Sequence, residues 1–336
     1  MQAIFDLYKW DIKSCKALHQ GLINQTFDIV TKDNSEFILQ TINHQIFKQP
    51  SNIDYNIRLI SQFILQHHPS YIFTHLVPNV HGDTITTLNN RYYRAFKKLP
   101  GHALNVLENT TQAEEAAKAF GNFTSLLSPL PIEQLKISLP QFHDLTLRYH
   151  QFEEALQKGD SNRITACKDA IAYLQDQKKI VTQYQLFTQS KEVKKRVTHH
   201  DTKISNVLFD TTDKAICVID LDTVMPGYFI SDVGDMCRTY LCKVSEEEKD
   251  LNLVHIEKSR WEAIQIGYLS AMQPHLSYFE LDHFKFAGEF MIYMQALRFL
   301  ADHLNRDIYY GAKYDGQNYV RAINQIELLK RYQEQI

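Results

Sequence analysis

A short stretch of the chain carries the residue types that phosphoryl transfer requires. Residues 197–222 read VTHHDTKISNVLFDTTDKAICVIDLD. Asp201 could accept a proton, and Lys203 could neutralise a phosphoryl oxygen. Asn206 and Asp220 offer the hard oxygen ligands that Mg²⁺ prefers. Phosphoryl transfer needs little covalent chemistry from a protein, so a base, a metal site and positive charge suffice. The alternative is a solvated hairpin loop with an accidental His-x-Asp motif.

The order and spacing of these residues favour catalysis over that alternative. His199 lies two residues before Asp201, and Asn206 follows five residues after it. The catalytic loop of protein kinases has this spacing, H-R-D-x-x-x-x-N, with the Asp as base and the Asn on magnesium. Asp220 ends an apolar run, as the second metal-binding carboxylate of a kinase does. We therefore predict a magnesium-dependent site with Asp201 and Lys203 as its catalytic residues.

Two apolar runs are expected to position this site. Residues 207–209 and 216–219 flank a polar turn, a pattern that predicts two strands with a tight connection. The polar loop precedes the first strand, whereas Asp220 and Asp222 follow the second. We therefore expect the loop and the exit of the second strand to lie side by side.

The composition excludes several classes of protein. The chain has 336 residues, 44% hydrophobic and 22% charged, with a net charge of −3, so nucleic-acid binding is not expected. Its five cysteines form no C-x-x-C pair, which indicates reduced thiols and no zinc site. The N-terminus lacks the apolar core of a signal peptide, and residues 284–300 are too short and too polar to span a bilayer. We expect a cytoplasmic protein without a membrane partner.

The first part of the chain predicts a small β-rich lobe, residues 1–99. A helical lead-in over residues 1–17 and a helix over 50–66 accompany the strands. The predicted strands cover residues 26–30, 37–40, 85–88 and 92–96.

Polar groups at two places in this lobe could bind a nucleotide. Gly21 lies at or just before the first strand of a hairpin, where a kinase-like lobe covers the phosphates, and Asn24 and Thr26 could contact phosphate. The segment KKLPG then ends the strand pattern. It predicts a hinge at which the backbone of Lys97 and Leu99 could bind adenine.

The remainder, residues 100–336, predicts a helical lobe that carries the catalytic hairpin. Apolar residues recur at helical spacing and are expected to form its core. The predicted helices cover residues 109–127, 145–158, 163–187, 246–251, 258–273, 280–305 and 318–335.

Several motifs resemble the aminoglycoside phosphotransferase and choline kinase superfamily. These are THHDTKISNVLFD, ICVIDLDTVMPG and DVGD, of which D-T-K-x-x-N and I-D-L-D-T-V-x-P-G are the most specific. Within it the chain most resembles the N-acetylhexosamine 1-kinase group, through GLINQTFDI, FILQTINHQIFKQP and ALRFLADHLNRDIYY. The resemblance implies an α+β, protein-kinase-like fold with a small β-rich N-lobe and a larger, mainly helical C-lobe.

The resemblance also implies roles for matched positions. Asp201 would deprotonate the acceptor hydroxyl, and Asn206 and Asp220 would bind Mg²⁺. Asp222 would face the acceptor pocket or support the metal. Arg298 and Tyr310 would help to form a sugar pocket. Two further carboxylates, in the D-x-G-D segment, would brace the catalytic loop; these are Asp232 and Asp235.

The chain departs from the superfamily pattern at two places. His200 stands where Gly or Asn is usual. Gln40 stands where kinases commonly have a phosphate-binding Lys, and the matching helix offers Tyr55 and Asn56 instead of a Glu. Since both halves of the usual Lys–Glu pair are replaced together, we expect Gln40 to belong to a modified nucleotide site.

The predicted function is transfer of the γ-phosphoryl group of ATP to a sugar hydroxyl, in particular the anomeric 1-OH of an N-acetylhexosamine. The partners would be ATP and the sugar, and we expect a monomer or weak dimer. Kinases of other small alcohols remain open alternatives: aminoglycosides, choline, ethanolamine or homoserine. So does a non-catalytic nucleotide-binding or scaffold protein of the same fold.

Overall fold

The structure is a computed structural model that describes residues 1–18 and 23–336. Gly21 lies outside the described residues. The strands are β1 (Ile12–Leu18), β2 (Gln25–Thr31), β3 (Glu36–Ile42), β4 (Leu76–Val77), β5 (Thr86–Leu88), β6 (Arg91–Lys97), β7 (His102–Ala103), β8 (Arg196–Thr198), β9 (Val207–Phe209), β10 (Ala215–Val218) and β11 (Met225–Gly227). The helices are α1 (Gln2–Leu7), α2 (Pro50–His67), α3 (Thr110–Leu126), α4 (Leu145–Lys158), α5 (Ser161–Ala166), α6 (Lys168–Asp176), α7 (Lys179–Gln189), α8 (Phe229–Tyr240), α9 (Lys258–Met272), α10 (Tyr278–Asp282), α11 (Phe284–Leu304) and α12 (Gln317–Gln335).

The N-lobe is an antiparallel sheet in the order β1-β2-β3-β6-β4, with β5 also paired to β6. Neighbouring residues of a strand point to opposite faces. Leu39 and Ala95 are opposite each other in β3 and β6, and they pack into a small core with α1. Gln40 and Arg94, the next opposed pair, therefore point to the other face of the sheet. This alternation places two polar side chains on the face of the sheet that points away from the small core, which we call the inner face.

The N-terminal segment differs from its prediction. Only Gln2–Leu7 is helical, and Ile12–Leu18 forms strand β1. Most side chains of β1 are exposed, so the strand lacks the apolar alternation that reveals a half-buried strand. Its pairing with β2 depends on tertiary contacts that a local pattern does not contain.

The linker between the sheet and the helices passes directly over the catalytic hairpin. Gly101 has a φ of +104°, and a Cβ there would lie 2.7 Å from the carbonyl oxygen of Phe209. Only glycine accepts both the conformation and the close approach. Just after it, β7 pairs with β9 and extends the β9–β10 hairpin to three strands. The linker and the hairpin thus form one unit.

The C-lobe is organised around α11. This helix is buried over nearly its whole length and packs against α4, α8 and α12, while α3 packs against α9. The predicted helix over residues 163–187 is instead three helices, α5 to α7, which break near Cys167 and Gln177. The segment 246–251 was also predicted as a helix, but residues 246–250 are not helical. The predicted α+β fold, with an antiparallel N-lobe and a helical C-lobe, is confirmed.

No helix in the described part of the chain combines the length and apolarity needed to cross a bilayer.

Candidate active site

The catalytic loop connects β8 to β9 and brings its polar side chains into contact. The Nζ of Lys203 lies 3.1 Å from Oδ1 of Asp201. The Nδ2 of Asn206 donates to Oδ2 of Asp201 at 3.1 Å and to its carbonyl oxygen at 2.9 Å. Both oxygens of Asp201 are thus oriented, and the side chain keeps 22% exposure, so an acceptor can still reach it.

The β9–β10 hairpin places the second carboxylate beside this loop, as the spacing predicted. The N–H of Ile219 donates to the carbonyl oxygen of Asn206 at 2.9 Å. His199 donates from Nε2 to the carbonyl oxygen of Ile219 at 3.0 Å, which ties the loop to the end of β10. Asp220 follows with a left-handed φ of +60°. The backbone therefore turns sharply where the predicted metal ligand lies.

The charges around Asp220 suit a divalent cation. The cleft removes part of the hydration of this carboxyl group, and Asp222 and Asp201 add negative charge, which together raise the pKa of Asp220 above its usual value. A bound cation would relieve this repulsion. No cluster of three or more His, Cys, Asp or Glu side chains in the described ranges could hold a metal by itself. Mg²⁺ characteristically takes one or two protein carboxylates and fills its shell with phosphate and water, so Asn206 and Asp220 fit it.

Lys203 retains its charge within this group. Burial pushes the pKa of Lys203 down, but the nearby carboxylates, Asp201 foremost, outweigh it, so the pKa is raised. The ammonium group can therefore neutralise a phosphoryl oxygen near Asp201.

Helix α8 braces the catalytic loop through its D-x-G-D carboxylates. Asp232 accepts hydrogen bonds from the N–H groups of His199 and His200 at 3.0 and 2.7 Å. Asp235 accepts from the N–H of Thr202 at 2.8 Å. Three N–H groups of the loop backbone are thus held by buried carboxylates. These contacts are those expected of bracing residues.

The inner face of the N-lobe sheet meets the site through a polar network. Gln40 donates from Nε2 to Oγ1 of Thr26 at 3.3 Å and accepts from Arg94 at 2.8 and 3.0 Å. Arg94 also pairs with Asp222, whose other oxygen accepts from Nδ2 of Asn24 at 2.7 Å. Arg94 is a site residue that the sequence analysis missed. Its only signal was a charge within the otherwise apolar strand pattern of residues 92–96.

These contacts bear on the predicted role of Asp222. Its side chain is 3% exposed and is bound by two N-lobe side chains, Arg94 and Asn24. These contacts hold the Asp222 carboxylate against the N-lobe sheet, and its predicted role toward the acceptor or the metal stays a prediction.

The hinge residues lie at the end of β6. Lys97 is opposite Phe37 in the sheet, and Leu99 is half-buried just beyond it. The N–H and carbonyl groups of Leu99 have no hydrogen-bond partner among the residues that the structure describes. They are therefore free to meet an adenine edge.

The predicted acceptor residues form a second cluster, on α11 and the loop that follows it. Arg298 donates to Oε1 of Gln295 at 3.1 Å, and Gln295 donates to the hydroxyl of Tyr310 at 3.0 Å. The Arg298 guanidinium also lies over the rings of Phe142, Tyr309 and Tyr310, at 5.4 to 5.7 Å from their centroids. The structure thus brings Arg298 and Tyr310 together and adds three residues that the sequence analysis did not select.

A buried carboxylate fixes the loop that carries Tyr310. Asp302 accepts from the N–H groups of Tyr309 and Tyr310 at 2.7 and 2.9 Å. Asn318 donates to the same carboxylate at 3.2 Å. The carboxylate of Asp302 is therefore already occupied by hydrogen bonds from this loop and from Asn318.

A chain of ion pairs connects this cluster to the catalytic loop. Asp235 pairs with Arg238 at 2.9 Å, and Arg238 donates to Glu246 at 2.8 Å. Glu246 in turn pairs with Arg321, whose guanidinium lies 3.7 Å from the ring centroid of Phe299 and 5.1 Å from that of Tyr310. Alternating charges thus run from the catalytic loop to α12.

Comparison with known proteins agrees with this geometry. The model of the phosphotransferase enzyme (APH) family matches residues 14–264. The chain belongs to this family. Family membership makes it an ATP-dependent phosphotransferase that acts on hydroxyl groups, and a small-molecule kinase. The loop spacing predicted the phosphoryl transfer, and the resemblance of the motifs predicted the class of kinase.

Solved structures share the fold of this APH-family chain along its length. Amicoumacin kinase hAmiN, in complex with AMP-PNP, Ca²⁺ and Ami, is 14% identical over 98% of this chain and 92% of that one, with a TM-score of 0.66. An aminoglycoside phosphotransferase from Alicyclobacillus acidocaldarius is 12% identical over 100% and 96%, with a TM-score of 0.66. A microcompartment-associated aminopropanol kinase is 18% identical over 99% and 96%, with a TM-score of 0.63. At these identities the likeness concerns the fold alone.

Proposed function

We propose that this APH-family kinase transfers the γ-phosphoryl group of ATP to a sugar hydroxyl, with the anomeric 1-OH of an N-acetylhexosamine as the preferred acceptor. The observation that carries the proposal is the contact of Asp201 with both Lys203 and Asn206 beside Asp220. A base, a positive charge and two oxygen ligands occur together there, as phosphoryl transfer requires.

Each of these residues has a part in the reaction. Asn206 and Asp220 would hold Mg²⁺, which neutralises charge on the phosphoryl oxygens. Asp201 orients the acceptor hydroxyl and accepts its proton, while Lys203 faces the developing negative charge. Asn206 donates from Nδ2 to Asp201 and so orients the base. Its Oδ1 is left for the metal ion. At the hinge, Lys97 and Leu99 would bind adenine by their backbone.

The residues around Arg298 favour a neutral acceptor. Asp302, the carboxylate closest in sequence, is occupied by backbone N–H groups, so it does not offer the free negative charge that a polycationic aminoglycoside needs. Arg298 already lies over the rings of Phe142, Tyr309 and Tyr310, so these ring faces are shared with a cation before any quaternary ammonium of choline could reach them. Arg298 can donate to hydroxyl and amide oxygens, and Tyr310 adds a hydroxyl group. An N-acetylated sugar matches such donors.

The proposal also includes the division of the chain into a nucleotide-binding lobe, residues 1–99, and an acceptor-binding lobe, residues 100–336. The site lies where the two would meet, because Arg94 of β6 contacts Asp222 of the hairpin segment.

An ADP-release assay with a panel of acceptors tests the function. We expect Mg²⁺-dependent release with N-acetylhexosamines and much weaker release with hexoses, choline, ethanolamine, homoserine and aminoglycosides. Phosphate on the anomeric oxygen would be identified by ³¹P NMR of the product. Preferential release with another alcohol would replace the proposed acceptor. No release with any acceptor, from protein that binds ATP, would favour a non-catalytic nucleotide-binding protein.

A further inference from the structure

A buried arginine lies beside the position at which kinases carry their phosphate-binding lysine. Arg94 is 1% exposed and is opposite Gln40 in the register of β3 and β6. Gln40 itself has no charge, and it accepts hydrogen bonds from Nε and Nη2 of Arg94. The cation that is missing from β3 is therefore present on the adjacent strand, one side chain away.

The partners of Arg94 hold its guanidinium in one orientation. Nε and Nη2 are bound to Gln40, and Nη2 also pairs with Asp222. The carboxylate of Asp222 is fixed in turn by Asn24, and Gln40 by Thr26. A guanidinium held on one edge presents its other edge as a rigid donor.

One donor group of the guanidinium, Nη1, lacks a partner in the described part of the chain. Nη1 of Arg94 is buried and has no hydrogen-bond partner among residues 1–18 and 23–336. A buried donor of a charged group without a partner is unfavourable and calls for an explanation, and a ligand that completes the contacts is one. A phosphate is the natural complement of a guanidinium edge.

The location of Arg94 identifies the ligand. Its partner Asp222 lies two residues beyond Asp220, the predicted metal ligand. Its other partner, Gln40, and Thr26, which accepts from Gln40, lie on the strands whose inner face the nucleotide would cover. The phosphates of ATP are the anions that a kinase brings to this place.

We propose that Arg94 binds the α- and β-phosphates of ATP, with Gln40 and Asp222 as the residues that orient its guanidinium. In the absence of nucleotide, Asp222 neutralises Arg94. When ATP binds, the phosphates share this charge, and Nη1 gains its partner. The inference uses the ATP chemistry of the family and does not depend on which acceptor is phosphorylated.

A pair of variants isolates the guanidinium without leaving Asp222 as an unpaired buried charge. The comparison is between Asp222→Asn and the double variant Arg94→Gln/Asp222→Asn, with the affinities for ATP, ADP and adenosine measured by calorimetry. We expect the double variant to bind ATP and ADP about 10- to 100-fold more weakly than Asp222→Asn, the loss typical of a hydrogen bond to a charged group. Adenosine affinity should stay within about twofold, which also shows that the nucleotide site is folded. Equal ATP affinities in the two variants would overturn the proposal.

A second pair tests whether the position of the charge matters. In Arg94→Gln/Gln40→Lys the cation is moved to β3, and we expect it to recover most of the ATP affinity that Arg94→Gln loses. If Arg94→Gln binds ATP as tightly as the wild type, Arg94 does not hold the phosphates.

Discussion

Gly227 lies so close to His200 that a Cβ on this glycine would fall 2.3 Å from the imidazole Nε2. The two residues are brought together because β11, which ends at Gly227, pairs with β8 just before the catalytic loop. His200 has a φ of +67°, which explains why Gly or Asn is usual at this place. Its Nδ1 lies 3.1 Å from the carbonyl oxygens of Thr198 and Thr223. The imidazole of His200 thus fits in this place because Gly227 has no side chain.

A methyl group at Gly227 should therefore be destabilising, and removal of the His200 ring should relieve it. We expect Gly227→Ala to lower the free energy of unfolding by about 1–3 kcal/mol, as overpacking does. In the His200→Gly background the same change should have a much smaller effect. Urea unfolding of the wild type, both single variants and the double variant gives the coupling energy. Additive effects would show that the contact is not the reason for the glycine.

The lowered pKa of His200 predicts that the free energy of unfolding decreases in acid. Burial lowers this pKa to about 4, below the value of about 6.5 in an unfolded chain. Between these values the unfolded state binds a proton that the folded state does not, so stability is lost as the pH falls from about 6.5 to 4. The full difference corresponds to about 3 kcal/mol.

The His200→Asn variant removes the contribution of His200 protonation to the unfolding free energy and keeps a residue that tolerates a positive φ. His199 and His143 also have pKa values lowered by burial, but they remain in both proteins. Unfolding free energies measured from pH 7 to pH 4 should therefore fall more steeply for the wild type than for the variant. Parallel curves would show that His200 takes up no proton on unfolding in this range.

Local sequence patterns were sufficient to predict the catalytic loop but not the contact between the two lobes. The contacts among Asp201, Lys203 and Asn206 follow from a short loop before a hairpin, so their spacing predicted them. The pairing of Arg94 with Asp222 joins distant segments across the two lobes, and no local period contains it. Strand β1 was missed for a related reason, since its exposed side chains lack an apolar alternation.

Asp232 should be essential for the shape of the catalytic loop. Both of its oxygens accept backbone N–H groups, and in Asp232→Asn the amide nitrogen would face one of these donors. We expect the variant to lose about 1–3 kcal/mol of unfolding free energy and a large part of its turnover. Asp282→Asn, an exposed change on α10, is the control and should alter neither quantity. A stable Asp232→Asn variant with normal turnover would show that the loop does not need this brace.

Asp201 should determine turnover without determining ATP affinity. Asp201→Asn keeps the shape of the side chain and can still accept from Asn206, but it is a far weaker base. We expect kcat to fall by about 10²- to 10⁴-fold, the usual contribution of a general base. Calorimetry should show ATP affinity within a few-fold of the wild type. Near-normal turnover would remove Asp201 from its role as base.

Arg298 should affect the acceptor and leave ATP unaffected. Its guanidinium is held by Gln295 and stacked against Tyr310, so it is oriented in advance for an acceptor oxygen. Arg298→Gln should raise the KM for the acceptor by about 10- to 100-fold, as expected for loss of a charged hydrogen bond, with the KM for ATP within about twofold. The control is Arg306→Gln, which removes an exposed charge from the segment just after α11. Steady-state kinetics with each substrate varied in turn separates the two constants. Since Arg298 lies on α11, far along the chain from the catalytic loop, a rise confined to the acceptor KM would identify this cluster as the acceptor pocket. Equal rises in both constants would indicate a general disturbance of the C-lobe instead.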